Sequence, residues 1–367
     1  MVYMARYLSV YVCALMCIGS AYASDQGPGA GPWQHESPER HGFDAALLKS
    51  VGDQVGEIAG RQGFVVVHDG VIIYEDYWSN RYHQPTPAWR NTSFSAAKSW
   101  GSALVGVAVT KGLINLDTLI DPLYSSDQSG LHPDVRLQHM LTMTTGGTLV
   151  IKPSSRRPTL KTENPAPGVG IDYVRVIKPE VGTPEGYGTT LEPGNVFFYD
   201  GEPVDHLANV VAAVSGESAR EFSERFLLEP LGVENFRYQA EAVDSQGNMR
   251  IAGSIELSVR DLARLGQLWL NGGRWGGEQL IDPAFVEASV QPSALNSNYG
   301  YLWWLNTGEG RIANAPETMY YAAGAFAQLV FVLPESNLVI ATMGFQPELD
   351  RLAPQKIWDA VGPLVNP

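Results

Sequence analysis

Two strand-rich blocks near opposite ends of the chain constrain the fold most. In FVVVHDGVIIYEDYW, residues 64–78, β-branched runs flank Asp69-Gly70, a dipeptide suited to the positive φ of a tight hairpin turn. The second block, YYAAGAFAQLVFVLPESNLVIATMG, residues 320–344, reads as strands over Tyr320–Ala323 and Ala327–Leu333 and a further apolar run over Asn337–Gly344. Tyr299–Leu305 reads as another strand. Between the blocks the pattern turns helical. Asp44–Gly60 is a predicted helix that Asp44 can cap, with Leu47, Leu48, Val51, Val55 and Ile58 on one face. Ser95–Gly112 is a second, with Trp100, Ala103, Leu104 and Val107 on one side and Gly112 as its stop. Asp134–Thr145, Val204–Ser215, Ala219–Leu228 and Ser258–Asn271 follow. Strands at both ends with helices between predict an α+β fold: one antiparallel sheet built from both termini, flanked by helices, with a mostly helical inserted region. Residues 146–193 break the periodicity with many Pro and Gly, and 148–190 reads as a loop excursion near the site, of the kind that often forms a lid.

The N-terminus reads as a secretory signal peptide over residues 1–23. Arg6 supplies the positive start, Tyr7–Ile18 an apolar run short for a membrane span, and Ala21-Tyr22-Ala23 a cleavage site that leaves Ser24 first. An uncleaved anchor is the alternative. Leu15 and Met16 suit a lipid-anchor site at Cys17 poorly. Residues 24–42 form an extended Gly/Pro-rich leader, and 43–367 one domain. Both cysteines, Cys13 and Cys17, fall in the signal segment, so the mature chain forms no disulfide and offers no thiolate. The expectation is an exported protein, periplasmic or secreted, with no stable membrane insertion after cleavage. The sequence sets no oligomeric state. A formal charge of −14 argues against nucleic acid as partner, and 44% hydrophobic residues exclude general disorder.

The chemistry concentrates in Ser95-Ala96-Ala97-Lys98. A spacing of three puts Ser95 and Lys98 on one helical face, with Ser95 at the N-terminus, where free N–H groups favour developing negative charge. A serine hydroxyl is a weak nucleophile until a base takes its proton. A lysine amine does so where its surroundings favour the neutral form. Spacing alone proves little: 25 serines and seven lysines in 367 residues give about half a match by chance. Context adds weight, because this scarce lysine sits among alanines and Trp100.

The ordered blocks around it resemble the β-lactamase-related serine hydrolases, which include class C β-lactamases, penicillin-binding peptidases, esterases and aminohexanoate-oligomer hydrolases. The resemblance runs through SFSAAKS, LVGVAVTKGLINLDTLI, LQHMLTMTTGG, LEPGNVFFYDG, SVRDLARLGQLWLNGG, YGYLWW and the 320–344 block, so it covers Phe64 to the C-terminus. It implies a serine β-lactamase or penicillin-binding-protein-like fold. It implies Ser95 as nucleophile, Lys98 as its activating partner and Tyr199 as the residue that passes the proton to the leaving group. The implied oxyanion hole is the backbone N–H of Ser95 and of Ala325. Which of Lys98 and Tyr199 acts as base stays open, since the pair titrates as a unit.

Two departures bear on substrate. Gly201 stands where the family has an amide or hydroxyl side chain two residues after the tyrosine. Ala322-Ala323-Gly324 stands where penicillin-type sites begin with Lys or His. Both argue for a small-molecule ester or linear amide over a β-lactam or peptidoglycan peptide. A catalytically silent binding protein on the same fold is the alternative. Asp200 reads as a turn residue, or as a charge that selects against anionic substrates. Trp303, Trp304, Tyr320, Tyr321 and Phe326 read mostly as core, with one or two lining an apolar pocket. Lys152, Arg156, Arg157, Lys161, Arg175 and Lys178 make the excursion basic, read as a solvated loop ahead of a positive rim for an acidic substrate. The seven histidines show no ligand spacing and His68, at the hairpin turn, reads as structural, so no metal and no cofactor are expected.

Overall fold

The computed structural model describes residues 27–150, 159–160, 190–233, 235–238, 249–253, 255–308, 312–345, 350 and 352–365. The signal segment and most of the 148–190 excursion, with its basic residues, lie outside them. Among the described residues no helix is long and apolar enough to cross a membrane.

The sheet unites the two ends of the chain as expected. The N-terminal hairpin supplies β1 (Arg61–His68) and β2 (Val71–Tyr77). Its turn residues Asp69 and Gly70 have φ of 49° and 76°, which is what a tight hairpin of this hand requires. A short strand β3 (Arg90–Thr92) pairs with β4 (Ile255–Ser258) apart from the main sheet. The C-terminal part supplies β5 (Trp304–Leu305), β6 (Tyr320–Gly324), β7 (Gln328–Leu333) and β8 (Leu338–Gly344). The six main strands run in the order β5-β6-β7-β8-β1-β2, all antiparallel. β1 and β8 pair through Val65 opposite Ala341, so strands from the two ends of the chain lie side by side inside the sheet.

Helices cover both faces. The helix α1 (Ala45–Glu57) is capped by Asp44, whose carboxylate accepts the Ala46 N–H at 2.8 Å. The helix α2 (Ala97–Thr110) is described below, and α3 (Val259–Leu270) starts from a capping box between Ser258 and Asp261. Val330 and Val332 of β7 lie against Gly266 of α3. The intervening Phe331 packs edge-on to Trp358 of α4 (Ala353–Val361), at 5.8 Å. Side chains alternate along a strand, so α3 and α4 lie on opposite faces, and β7 is apolar from Leu329 to Leu333 because both of its faces are covered.

Residues 27–42 dock against the sheet and carry a 3-10 turn at Pro38–His41. Gln34 accepts the Ile72 N–H at 2.9 Å and Glu36 donates to the Ile72 carbonyl at 3.1 Å, which closes part of the exposed edge of β2. Trp33, 5% exposed, packs edge-on to Trp275, whose Nε1 donates to the Gly29 carbonyl at 2.8 Å.

Several boundaries differ from the sequence reading. The expected strand over 299–305 pairs in the sheet only at Trp304–Leu305. Tyr301 donates its N–H to Ser289 and Leu302 to Leu141, so this backbone is already spent on other partners. The expected helix over 134–145 is confined to Leu137–Leu141. The helix from Ala219 passes into a π-helical turn at Glu224–Leu228. The helices Pro283–Ser289 and Ala353–Val361 were not anticipated.

Trp33→Ala should cost about 3–5 kcal/mol, as truncation of a buried Trp typically does. Urea unfolding of the variant beside the parent measures it.

Candidate active site

Ser95 is placed by what precedes it. Strand β3 ends at Thr92, and Ser93 then donates both its N–H and its hydroxyl to the Ile255 carbonyl, at 3.0 and 2.6 Å. This double bond stops the chain against β4. Phe94 follows with φ of 47°, a left-handed conformation unusual for a bulky residue, and such strain persists only where the surroundings hold it. Ser95 lies in the 3-10 turn Phe94–Ala96, just ahead of the α-helix. The expected helix therefore begins two residues later, and Ser95 sits in the tightened turn at its mouth, half-buried.

Lys98 is the sole charged residue of α2, in a helix buried on every side from Ala97 to Ala108. Its side chain is 4% exposed. A buried amine needs polar partners. Lys98 Nζ donates to the Ala252 carbonyl at 2.9 Å and to Ser95 Oγ at 3.2 Å. It also lies 5.0 Å from the centre of the Tyr199 ring. Tyr199 is itself fixed by stacking on Trp304 at 5.2 Å and by an edge contact with Tyr299 at 5.9 Å. The structure thus brings Ser95, Lys98 and Tyr199 together from sequence positions about a hundred residues apart.

The segment carrying Ala252 is held in turn. Asp205, buried in the short helix Glu202–Asp205, accepts the Ala252 N–H at 2.7 Å and Arg250 Nε at 2.8 Å. A Cβ at Gly101 would come within 2.5 Å of Ile251, so the bare backbone of α2 lets this segment approach. Asp205 was missed in the sequence because nothing local marks it; its role exists only once residues 205 and 252 meet.

The other wall is the end of β6. A Cβ on Gly324 would sit 2.3 Å from the Ser93 carbonyl and 3.0 Å from the Ala96 nitrogen, so only glycine lets the strand reach the Ser95 turn. Ala325 follows at once, half-buried. Phe326 and Ala327 then take φ of 62° and 56°, two consecutive left-handed residues without glycine. Arg61 holds them: its guanidinium donates to the Phe326 carbonyl, and to the Ala327 carbonyl at 2.8 Å. Arg61 is 3% exposed, and burial pushes its pKa down to about 10, which leaves it charged at neutral pH. Nothing local in the sequence marks Arg61, which stands just ahead of the apolar run that begins at Phe64.

The remaining expected residues fall as follows. Asp200 is buried and accepts the Glu202 N–H at 3.2 Å, in keeping with a turn residue. A Cβ on Gly201 would stand 3.3 Å from the Ala252 methyl. Ala322 and Ala323 are buried in β6. Trp303, Trp304, Tyr320 and Tyr321 are core residues. Burial drives the Tyr320 and Tyr321 hydroxyls far above the ordinary tyrosine range, so neither exchanges a proton near neutral pH. Phe326 alone of the aromatic group is half-exposed, between Phe94 at 5.0 Å and Phe345 at 5.1 Å. These three rings form an apolar shelf beside the Ser95 turn.

The arrangement suits nucleophilic catalysis: a hydroxyl at a helix mouth, an amine within hydrogen-bond reach and a tyrosine against the amine. Comparisons agree in kind. Residues 53–357 match the family model Beta-lactamase. No curated protein matches the chain in sequence. Among solved structures it is similar to a candidate 6-aminohexanoate-dimer hydrolase from Bacillus anthracis, at 19% identity and TM-score 0.66, over 94% of this chain and 88% of that one. It is also similar to EstCE1, a hydrolase with promiscuous acyltransferase activity, at 15% identity and TM-score 0.63, over 86% of this chain and 100% of that one. A penicillin-binding protein from Bacillus halodurans superposes at 16% identity and TM-score 0.60, over 86% of this chain and 99% of that one. At these identities the likeness establishes the fold.

An activated Ser95 should be labelled by a fluorophosphonate probe. Asp205→Ala and Arg61→Ala should each slow labelling about 10²-fold, the scale of a misplacement of about 1 Å, with intact-mass kinetics as the measure.

Proposed function

Since the chain belongs to the Beta-lactamase family, whose members are serine hydrolases that include esterases, amide hydrolases and β-lactamases, we propose that it is an exported serine hydrolase that cleaves an ester or linear amide through an acyl-enzyme on Ser95. The observation that carries this reading is the 3.2 Å contact between Lys98 Nζ, on the buried part of α2, and Ser95 Oγ in the turn at its mouth. The Lys98–Tyr199 pair accepts the hydroxyl proton as Ser95 Oγ attacks the substrate carbonyl carbon. The backbone N–H groups of Ser95 and Ala325 receive the oxyanion, a contribution typically worth about 3–4 kcal/mol per donor. Collapse of the intermediate breaks the bond to the alcohol or amine, which leaves with the proton returned through Tyr199. Water then attacks the acyl-enzyme by the same route and releases the acid.

The residues around this machinery favour an uncharged substrate end. The Phe94–Phe326–Phe345 shelf offers apolar surface to the acyl or leaving group. Ala322 presents a methyl where penicillin-type sites hold a cation for the substrate carboxylate.

Hydrolysis of a short-chain p-nitrophenyl ester tests the reading. Ser95→Ala should abolish turnover, and Lys98→Ala or Tyr199→Phe should lower kcat about 10²–10⁴-fold, as loss of an acid–base group does. Near-parental rates in Ser95→Ala would sink the mechanism. A chromogenic cephalosporin should be left uncut. Export is tested by N-terminal sequencing of protein recovered outside the cytoplasm, which should begin at Ser24.

A further inference from the structure

Folding brings two histidines that stand 27 residues apart face to face. His41 ends a 3-10 turn over Pro38–His41 in the docked leader, and His68 is the last residue of β1. Their Nδ1 atoms are 3.0 Å apart. Asp69 Oδ2 lies 3.4 Å from His68 Nδ1 and 3.9 Å from His41 Nδ1. We propose that His41 Nδ1, His68 Nδ1 and Asp69 Oδ2 form a binding site for a divalent transition-metal ion of the zinc type, with solvent as its fourth ligand.

The dimensions fit. Zinc bonds of about 2.0–2.1 Å in a tetrahedron place the ligand atoms about 3.4 Å from one another, which the observed triangle brackets. The donor set fits too. Two imidazoles and one carboxylate suit zinc, whereas calcium and magnesium take oxygen ligands almost alone. An imidazole nitrogen without a proton offers a lone pair, and here two Nδ1 atoms meet. A cation at the centre of the triangle satisfies both lone pairs and the carboxylate together.

The groups behind the ligands are also in place. Metal-bound histidines commonly turn their other nitrogen to a carboxylate, and here Glu36 Oε2 lies 3.4 Å from the buried His41 Nε2, close but without hydrogen-bond geometry. Asp69 Oδ1 accepts from the Asn337 side chain, which leaves Oδ2 to face the histidines. The Phe43 ring packs edge-on to His68 at 5.0 Å and shields that side. His41 is 10% exposed in its side chain, His68 17% and Asp69 41%, so the triangle opens to solvent on the aspartate side.

The other histidine–carboxylate group among the described residues differs. His132 lies 3.2 Å from Glu192 through Nε2 and 3.9 Å from Asp134 through Nδ1, but that group has one imidazole beside two exposed carboxylates, and His132 Nδ1 already accepts the Asp134 N–H at 3.2 Å. The proposed site lies at the end of β1 away from Arg61, a strand length of roughly 20 Å, so it serves the fold and not the reaction at Ser95. A bound ion would clip the leader turn to the β1–β2 turn, and through Asn337 to the turn before β8.

Zn²⁺ titrated into the metal-stripped protein, followed by calorimetry, tests this. The expected result is one ion per chain, with a rise in Tm that a chelator reverses. Asp69→Asn, which removes the charge but tolerates the left-handed turn, should weaken binding at least tenfold, as should His68→Gln. His132→Gln should bind as the parent does, and Asp69→Asn should keep parental ester hydrolysis. No Zn²⁺ uptake at about 100 µM, or uptake undiminished in Asp69→Asn, overturns the proposal. Should His68→Gln fail to fold, Asp69→Asn decides alone.

Discussion

A lysine amine held inside a helix with no solvent-facing side is the constraint around which the rest of the structure is arranged. Lys98 cannot be solvated by water there, so the protein supplies its partners: a backbone carbonyl at Ala252, the Ser95 hydroxyl and the face of Tyr199. Each of these must be delivered by a different part of the chain. The carbonyl comes from a segment anchored by Asp205 and admitted by the missing side chain at Gly101. The tyrosine ring comes on a stretch that Trp304 and Tyr299 clamp. The same set of contacts that makes the burial tolerable points the amine at the hydroxyl.

The second arrangement is one of backbone strain. Phe94 on one side of Ser95, and Phe326 with Ala327 on the other, occupy left-handed conformations without glycine. Each costs on the order of 1–3 kcal/mol and survives only where neighbours over-determine it. The Ser93 bonds to Ile255 and the Arg61 bonds to the 326–327 carbonyls do so. Arg61 belongs to the first strand of the sheet, while the turn it holds joins β6 to β7. Closing the sheet from both ends of the chain is therefore also what shapes the wall opposite Ser95.

Much of this was legible in the sequence, and the limits are physical. The hairpin at Asp69-Gly70, the helix capped at Asp44, the helix from Ser258 and the three C-terminal strands are set by local turn chemistry and periodicity, and the structure follows them. The strand expected at 299–302 did not form because its backbone finds partners at Ser289 and Leu141, which no local pattern encodes. The trio of Ser95, Lys98 and Tyr199 was readable because ordered blocks of resemblance surround each. Asp205 and Arg61 were not, because a buried charge whose partners are backbone groups of distant residues leaves no motif. The pairing of His41 with His68 is hidden for the same reason: ligand spacing along a chain is visible only when one element carries both donors.

The departures at Gly201 and Ala322 are built into the packing, and this bears on substrate more than their mere presence. A side chain at 201 begins 3.3 Å from the Ala252 methyl, beside the carbonyl that receives Lys98, so an amide-orienting group there would press on the segment that positions the amine. Ala322 is 1% exposed, and a lysine in its place would have to bury its charge in the centre of an apolar strand. Restoring either residue singly is thus expected to damage the site before it widens the substrate range. Neither position carries a charged or hydrogen-bonding side chain. On the proposed reading, an ester or simple amide carbonyl needs only the nucleophile, its proton acceptor and the two N–H donors, none of which these two positions supply.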